Sequence, residues 1–223
     1  MEILAAKNLS FAYENKGRTV HAVRSVTCSF ALGKCYAIVG KSGSGKTTLL
    51  SLLAGLELPT EGEVLYDGQA TSAMDCDLYR RDHAAVIYQN YNLFPRLTAE
   101  ENVLYPMRLK KADRAAAVET AHRQLQAVGI EPSRFKHFPA QLSGGEQQRV
   151  AIARALAAGN PIILADEPTG NLDIANGEQV VNILLGLAHK ENRCVIIVTH
   201  DLEIASQMDE VYMMRDGMLA QEL

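Results

Sequence analysis

Eight residues with the sequence GKSGSGKT, Gly40 to Thr47, have the types and spacing needed to hold the phosphates of a nucleotide. Glycines permit a tight turn in which successive backbone N–H groups point into one concavity, and the N-terminus of a following helix adds partial positive charge. In such a loop Lys46 reaches the β- and γ-phosphates, and the Thr47 hydroxyl coordinates the Mg²⁺ that bridges them. The predicted contacts of this segment with the nucleotide are Gly40, Lys41, Ser42, Gly43, Ser44, Gly45, Lys46, Thr47 and Thr48.

An acidic pair ends the apolar run IILADE, residues 162–167. The C-terminal end of a buried strand in an α/β sheet lies beside the phosphate crevice, so Asp166 is predicted to hold Mg²⁺ through water. Glu167, one position further out, is suited to orient and polarise the attacking water. Acidic pairs at strand ends are common, and this interpretation therefore depends on the phosphate loop in the same chain.

Three further side chains are candidates for the same site. His200 closes the run CVIIVTH and would face the crevice, in reach of the γ-phosphate, if the sheet is parallel. Gln89 follows another strand-like run and could contact Mg²⁺ or water, although a lone Gln is also an ordinary surface residue. Tyr13 could stack on an adenine ring or be a half-buried strand tyrosine, and the residues alone favour neither.

The segment LSGGEQQR, residues 142–149, has the pattern of a second anion-binding helix start. Ser143 and Glu146 form S-x-x-E, a capping box that would begin a helix without any function. That pattern does not explain Gly144 and Gly145, which are poor helix formers placed where bare backbone N–H groups could receive an anion. One nucleotide does not obviously need two such cradles.

The elements that must position these residues follow from the alternation of apolar runs and breaks. The first 39 residues read as strands that are partly antiparallel, and a turn and short strand follow in PTEGEVLYDGQ. Further strands are predicted at CYAIV, AAVIYQ, IILADE and CVIIVTH, and helices at TTLLSLLAGL and over residues 113–128, 144–158 and 177–189. Strands alternating with helices predict an α/β fold with a mostly parallel sheet. We expect one domain over 1–223, with a catalytic core at 1–89 and 159–223 and a helical insert at about 90–158.

Composition excludes several other classes of protein. The formal net charge of −4 disfavours nucleic acid as the main partner, and the longest apolar runs are far shorter than the roughly 18 residues of a membrane span. The first residues show no secretory signal, so a cytosolic location is expected. The four cysteines, at positions 28, 35, 76 and 194, lack metal-like spacing and are interpreted as reduced packing residues.

Taken together, these motifs resemble the nucleotide-binding subunits of ABC transporters over essentially the whole chain. The family's A-loop aromatic corresponds to Tyr13, its Walker A motif to Gly40–Thr47 and its Q-loop residue to Gln89. LSGGE is the family signature, IILADE the Walker B strand, residues 171–173 the D-loop and His200 the switch histidine. The resemblance implies a P-loop NTPase core with an N-terminal antiparallel β part and an inserted α-helical subdomain. Lys41 departs from the residues usual after the first Walker A glycine but removes no needed group.

The resemblance also implies what this chain binds and with what it assembles. ATP and Mg²⁺ would be the cofactors, with Thr47, Gln89 and Asp166 near the metal and Glu167, His200, Gln89 and Lys46 as catalytic residues. Two copies would pack head to tail, so that Ser143, Gly144 and Gly145 of one copy cover the ATP held on Lys46 of the other. A second anion-binding helix start is then expected rather than redundant.

Finer features, GSGKTTLL, NLFPRLTAEENV and ADEPTGNLD, resemble the subgroup of lipoprotein-releasing, macrolide-export, division-associated and peptide-antibiotic resistance ATPases. That subgroup implies a peripheral ATPase on the cytoplasmic face of the inner membrane, which drives an integral membrane subunit on a separate chain in export or mechanotransmission. We expect the membrane subunit to dock through the region after Gln89. The alternative is an ABC ATPase without a transport role that acts as a regulatory or structural module at the membrane.

Overall fold

The computed structural model describes residues 1–15 and 18–222, which form two β-sheets and a set of helices. The strands are β1 (Glu2–Asn15), β2 (Arg18–Ala31), β3 (Cys35–Val39), β4 (Glu61–Tyr66), β5 (Gln69–Ala70), β6 (Ala84–Ile87), β7 (Ile162–Asp166), β8 (Cys194–Thr199), β9 (Glu210–Arg215) and β10 (Met218–Glu222). The helices are α1 (Lys46–Leu53), α2 (Cys76–Asp82), α3 (Ala99–Leu109), α4 (Arg114–Ala127), α5 (Gly144–Ala157), α6 (Ile174–Glu191) and α7 (Leu202–Ala205). Short 3₁₀ turns lie at Thr71–Ala73, Pro132–Arg134 and Pro139–Gln141.

The larger sheet has six strands in the order β10-β9-β3-β8-β7-β6. Neighbours from β9 to β6 are parallel, and β10 alone pairs antiparallel, with β9. Strands β3 and β8 are buried along their whole length, as expected for parallel strands covered on both faces. Alternate residues of β3 belong to two separate apolar cores, Ala37 to one and Ile38 to the other. The central strands therefore fix the ends at which the candidate residues emerge.

The smaller sheet has four antiparallel strands in the order β2-β1-β4-β5. Its apolar side chains share one core with α1 and one face of the six-stranded sheet, through residues such as Leu9, Phe30 and Leu49. The other face of the large sheet packs against α3, α4, α5 and α6. The structure therefore confirms the predicted antiparallel N-terminal part and the mostly parallel α/β core.

Helices α3, α4 and α5 lie within the region 90–158, where we predicted a helical insert, and they contact one another. Each begins at a side-chain cap: Thr98 forms a capping box with Glu101, Asp113 caps α4, and Ser143 forms a capping box with Glu146. These caps satisfy backbone N–H groups that a helix start leaves without intrahelical partners. That the insert forms a separate subdomain with those bounds stays a prediction.

Several predicted boundaries were wrong by a few residues. Helix α6 begins at Ile174 rather than Gly177, because the Asp173 side chain accepts a hydrogen bond from the Asn176 backbone and caps it. Strand β6 ends at Ile87, so Gln89 lies in the loop beyond it rather than in the strand. Helix α2 and the β9–β10 hairpin were not predicted. Among the described residues no helix combines the length and apolar character of a membrane span.

The four cysteines are free thiols. Cys28, Cys35 and Cys194 are buried, and desolvation raises the pKa of each thiol to about 12. A thiol with so high a pKa is almost entirely protonated near neutral pH and is a poor nucleophile. The interpretation as reduced packing residues is therefore confirmed for Cys28, Cys35 and Cys194, whereas Cys76 is only partly buried.

Candidate functional site

The phosphate loop connects β3 to α1, and its backbone is shaped by two crowded glycines. Gly45 has φ of 104°, in the left-handed region, and a Cβ added there would lie 2.1 Å from the Ala22 carbonyl oxygen. A Cβ on Gly40 would lie 2.2 Å from the Met214 carbonyl oxygen. Neighbouring strands thus press on the loop from behind, and only residues without a side chain fit at these positions.

Lys46 is the first residue of α1 and is only 7% exposed. Its Nζ donates hydrogen bonds to the carbonyl oxygens of Gly40, at 2.7 Å, and Lys41, at 3.1 Å. The ammonium group is therefore held against the backbone of the same loop whose N–H groups were predicted to receive phosphate. The Lys46 ammonium group and the loop's backbone N–H groups therefore lie together, where both can meet an anion.

Thr47 and Asp166 lie together at the floor of the site. The Thr47 hydroxyl donates to Asp166 Oδ1 at 3.2 Å. Desolvation by burial raises the pKa of Asp166, with a further rise from the nearby Glu167 charge, while the Thr47 hydrogen bond and Lys46 oppose the rise. A hydroxyl and a desolvated carboxylate are hard oxygen donors of the kind that Mg²⁺ takes together with substrate phosphates. These residues therefore fit a Mg²⁺ ion held jointly with a nucleotide.

Glu167 follows β7 directly and lies beside the end of β8. Its Oε1 is 2.8 Å from His200 Nδ1, and its Oε2 accepts a hydrogen bond from the Thr199 hydroxyl at 3.3 Å. The residue has φ of 46°, and its backbone N–H donates to the Val198 carbonyl oxygen at 2.9 Å. Parallel pairing of β7 with β8 places both strand ends at one edge, as predicted. The carboxylate is thus oriented by two side chains and a fixed backbone.

Tyr13 and Gln89 lie at two other sides of the site. The Tyr13 hydroxyl is 3.3 Å from the Thr48 hydroxyl, and its ring, 46% exposed, stands edge-on to Phe11 at 4.9 Å. An exposed, braced aromatic face is available for stacking. The Gln89 side chain lies against Gly170, where an added Cβ would be 3.1 Å from its Nε2.

A cleft of about 940 Å³ brings most of the predicted residues together. The predicted residues that line it are Tyr13, Lys41, Ser42, Gly43, Gly45, Lys46, Thr47, Thr48, Gln89, Asp166, Glu167 and His200. Gly40 and Ser44 instead line a neighbouring cavity behind the loop. Cleft residues that sequence reasoning missed are Val20, His21, Ala22, Arg24, Asp216 and Gly217. Among them only Asp216 and Gly217 have a local signal, since Asp-Gly is typical of a hairpin turn, and that signal does not show that the turn lies beside the phosphate loop.

The signature segment lies elsewhere. In the part of the chain that the structure describes, Ser143, Gly144 and Gly145 are not among the residues lining this cleft. The Ser143 hydroxyl accepts from the Glu146 backbone N–H at 3.2 Å, and the Glu146 carboxylate accepts from the Ser143 backbone N–H at 2.8 Å. The predicted capping box is confirmed, and the two glycines occupy the first turn of α5.

This geometry can be set beside known proteins. The family model described as ABC transporter matches residues 23–170. The chain belongs to the ABC transporter family. The predicted family, the α/β P-loop fold and the assignment as an ATPase cassette are thereby confirmed.

Two relatives of this ABC cassette have informative similarity. YclH of Bacillus subtilis (strain 168), an uncharacterised ABC transporter ATP-binding protein, is 42% identical over 209 residues, which cover 94% of this chain and 92% of YclH. The cassette MJ0796, solved as a dimer in a post-hydrolysis state bound to ADP and Pi, aligns with a TM-score of 0.93 and 37% identity over 99% of this chain and 98% of MJ0796.

A third similar protein is cbiO1 from Clostridium perfringens, described as part of the ABC transporter complex cbiONQ. It aligns with a TM-score of 0.86 and 26% identity over 98% of this chain and 87% of cbiO1. This ABC cassette thus shares its fold, over nearly its whole length, with one cassette solved as a dimer and another described as part of a transporter complex.

Proposed function

We propose that this cassette binds ATP with Mg²⁺, closes as a head-to-tail homodimer on two ATP molecules, hydrolyses them and drives a separate integral membrane subunit. Its place is peripheral, on the cytoplasmic face of the cell membrane, and its work is export or mechanotransmission. The observation that carries the proposal is where the motifs lie: all the predicted catalytic residues line a single cleft, while the signature glycines lie outside that cleft.

The roles of the cleft residues follow from their contacts. Lys46 exchanges the Gly40 and Lys41 carbonyl oxygens for phosphate oxygens, and the Tyr13 ring stacks on the adenine. Bound Mg²⁺ would offset the charge of the phosphates, and Thr47, Asp166 and Gln89 are the residues placed to hold it. These contacts bind and orient the nucleotide before any bond is broken.

The water that attacks the γ-phosphate is oriented by Glu167. Its carboxylate is fixed by Thr199 and His200, and the exposed His200 side chain stands at the open side of the pair, where a γ-phosphate can reach it. A carboxylate that is already oriented does not have to move during the reaction, and groups fixed in this way lower the activation barrier most effectively.

The dimer explains the second helix start. The backbone N–H groups of α5 at Gly144 and Gly145 precede the intrahelical ladder and can receive the γ-phosphate of ATP bound to another copy. The dimeric form of MJ0796, which is similar to this chain over almost its full length, supports this arrangement. Closure then depends on ATP because the nucleotide bridges the two copies.

A groove of about 620 Å³ beside the region after Gln89 is the proposed dock for the membrane subunit. Large apolar side chains line it and are exposed, namely Leu56, Leu78, Phe94, Tyr105 and Leu109. Exposed apolar patches of this kind mark protein interaction sites. The membership of cbiO1 in a transporter complex supports a membrane partner for this cassette as well.

The test is Glu167→Gln. This change keeps the size of the side chain and removes its negative charge, so ATP binding is retained while hydrolysis falls about 10²- to 10³-fold. The trapped ATP then holds the dimer closed, which light scattering detects as a doubling of the mass upon addition of ATP. Normal turnover in this variant, or a mass that stays monomeric with ATP bound, would overturn the proposal.

A further inference from the structure

A short chain of hydrogen bonds outside the cleft joins helix α5 to the start of helix α6 and its N-cap residue Asp173. Arg149 Nη1 donates to Asn176 Oδ1 at 2.5 Å, and Asn176 Nδ2 donates to Asp173 Oδ2 at 2.8 Å. The Asn176 carboxamide therefore turns its acceptor toward a cation and its donor group toward an anion, and it links the two charged side chains. We name this set of three residues the Asn176 bridge.

The bridge lies directly against the signature segment. A Cβ added to Gly145 would lie 3.2 Å from both Cγ and Oδ1 of Asn176, so the glycine backbone packs on the carboxamide with no space between them. Gly145 is one of the residues that cover the partner's ATP in the proposed dimer. A shift of the Asn176 side chain is therefore transmitted to the backbone that meets that ATP.

Both ends of the bridge depend on Asn176. Arg149 Nε is buried and has no hydrogen-bond partner among the described residues, so the bond to Asn176 is a principal restraint on the guanidinium. Hydrogen bonds from the Asn176 backbone and side chain lower the pKa of Asp173, with a smaller contribution from the Arg149 charge. Removing Asn176 would leave a cation and an anion without the amide between them.

Gln148, the residue before Arg149 in α5, contacts the loop next to the predicted catalytic Glu167. Gln148 is buried, and its Nε2 donates at 2.8 Å to the carbonyl oxygen of Pro168, the residue after Glu167. The loop that follows is held at its other end by Asn171, whose Nδ2 donates to the Gln89 carbonyl oxygen at 3.0 Å. The first turns of α5 are thus fixed to the loop that carries the catalytic carboxylate.

We propose that Asn176 is a positioning residue that fixes the signature turn of α5 relative to the 168–173 loop, and so couples each copy's own hydrolytic site to the surface that covers its partner's ATP. The inference rests on the proposed head-to-tail dimer. Asn176 acts through Gly145 and Arg149 and is not assigned a contact with nucleotide.

The experiment compares Asn176→Ala with Gln179→Ala, an exposed amide on the same helix, both in the Glu167→Gln background. Binding of a fluorescent ATP analogue to the monomer is measured alongside the ATP concentration that half-saturates dimer formation in light scattering. We expect Asn176→Ala to raise that concentration about tenfold or more, a typical coupling between sites, while monomer binding changes less than about twofold. Gln179→Ala should match the background in both measurements.

A double-mutant cycle separates positioning from general loss of structure. If Asn176 works through Arg149, adding Asn176→Ala to Arg149→Met should cause little further loss of dimerisation, whereas two independent effects would multiply. Should Asn176→Ala fail to fold by circular dichroism, Asn176→Ser is interpreted in the same way, because its shorter polar side chain lacks the carboxamide that links Arg149 to Asp173.

The possible outcomes distinguish this inference from the function on which it rests. If Glu167→Gln itself stays monomeric with ATP bound, the proposed dimer is wrong and the coupling with it. If Glu167→Gln dimerises and Asn176→Ala dimerises equally well, only the role of Asn176 is overturned. Independent effects in the double-mutant cycle, or equal weakening of monomer binding, would also overturn it.

Discussion

Two glycines of the phosphate loop provide a matched pair for testing its packing. Both have positive φ, 79° at Gly43 and 104° at Gly45, so alanine at either position carries left-handed strain of about 1–2 kcal/mol. They differ in surroundings. A Cβ on Gly43 meets no described atom within 4 Å, whereas one on Gly45 would lie 2.1 Å from the Ala22 carbonyl oxygen and 2.8 Å from Met214 Cε.

The extra contacts at Gly45 set the expected size of the effect. Overpacking of this kind costs about 1–3 kcal/mol beyond the strain, because a backbone carbonyl cannot move aside as a flexible side chain can. We therefore predict that Gly45→Ala lowers the free energy of unfolding by about 2–5 kcal/mol and Gly43→Ala by about 1–2 kcal/mol. The displaced residue also precedes Lys46, so ATP affinity falls in Gly45→Ala.

Urea unfolding followed by circular dichroism, without nucleotide and with EDTA present, gives both free energies by linear extrapolation. Nucleotide is left out because binding would stabilise the folded state and mask the difference between the variants. A stability of Gly45→Ala within about 0.5 kcal/mol of that of Gly43→Ala would refute the packing of β2 and β9 against this loop.

Three other variants test individual residues of the cleft. Tyr13→Ala should weaken ATP binding by about 1–3 kcal/mol, the contribution of one stacked base. Tyr13→Phe keeps the ring and loses only the hydrogen bond to Thr48, so it should bind ATP nearly as well as the unmodified chain. Equilibrium titration with ATP compares the two variants. Asp166→Asn should raise the melting temperature measured in EDTA at pH 7. The pKa of Asp166 is raised because burial disfavours its ionised form in the folded state, so the charged carboxylate destabilises the fold above that pKa. This destabilisation disappears as the pH falls through the pKa, and the neutral Asn avoids it at every pH. The same variant should lose Mg²⁺-dependent ATP binding, and unchanged binding would count against its predicted role. His200→Ala should reduce kcat about 10²-fold or more with little change in KM, because the Glu167 carboxylate loses the side chain that orients it. A steady-state assay in which KM alone rose would contradict this.

The features that could be predicted from the sequence are those with a local signal. The phosphate loop and the Ser143–Glu146 capping box each depend on residues that are close together in the sequence. The apolar runs located β7 and β8 accurately enough to predict that Glu167 and His200 lie at the same edge of the sheet. The start of α6 was missed although Asp173 is an ordinary N-cap residue, because the apolar period begins only later in that helix.

Other features depend on contacts between distant segments and had no sequence signal. The β9–β10 turn reaches the cleft because β9 pairs with β3, which brings the Gly217 backbone N–H within 3.0 Å of the Ser44 carbonyl oxygen. The bond between Arg149 and Asn176 likewise joins two helices that are separate in the chain. Periodicity describes one element at a time and cannot show which elements become neighbours.

The central claim is that each ATP is held by Lys46 of one copy and covered by the signature turn of the other. It is tested most directly by mixing two differently tagged variants in the Glu167→Gln background, Lys46→Ala and Ser143→Arg. Neither should dimerise alone, since the first cannot hold ATP and the second carries a bulky cation where the partner's γ-phosphate must lie. Mixed, they restore one intact composite site, and we predict ATP-dependent capture of one tag by the other. Dimerisation of Ser143→Arg alone, or no capture in the mixture, would contradict the claim.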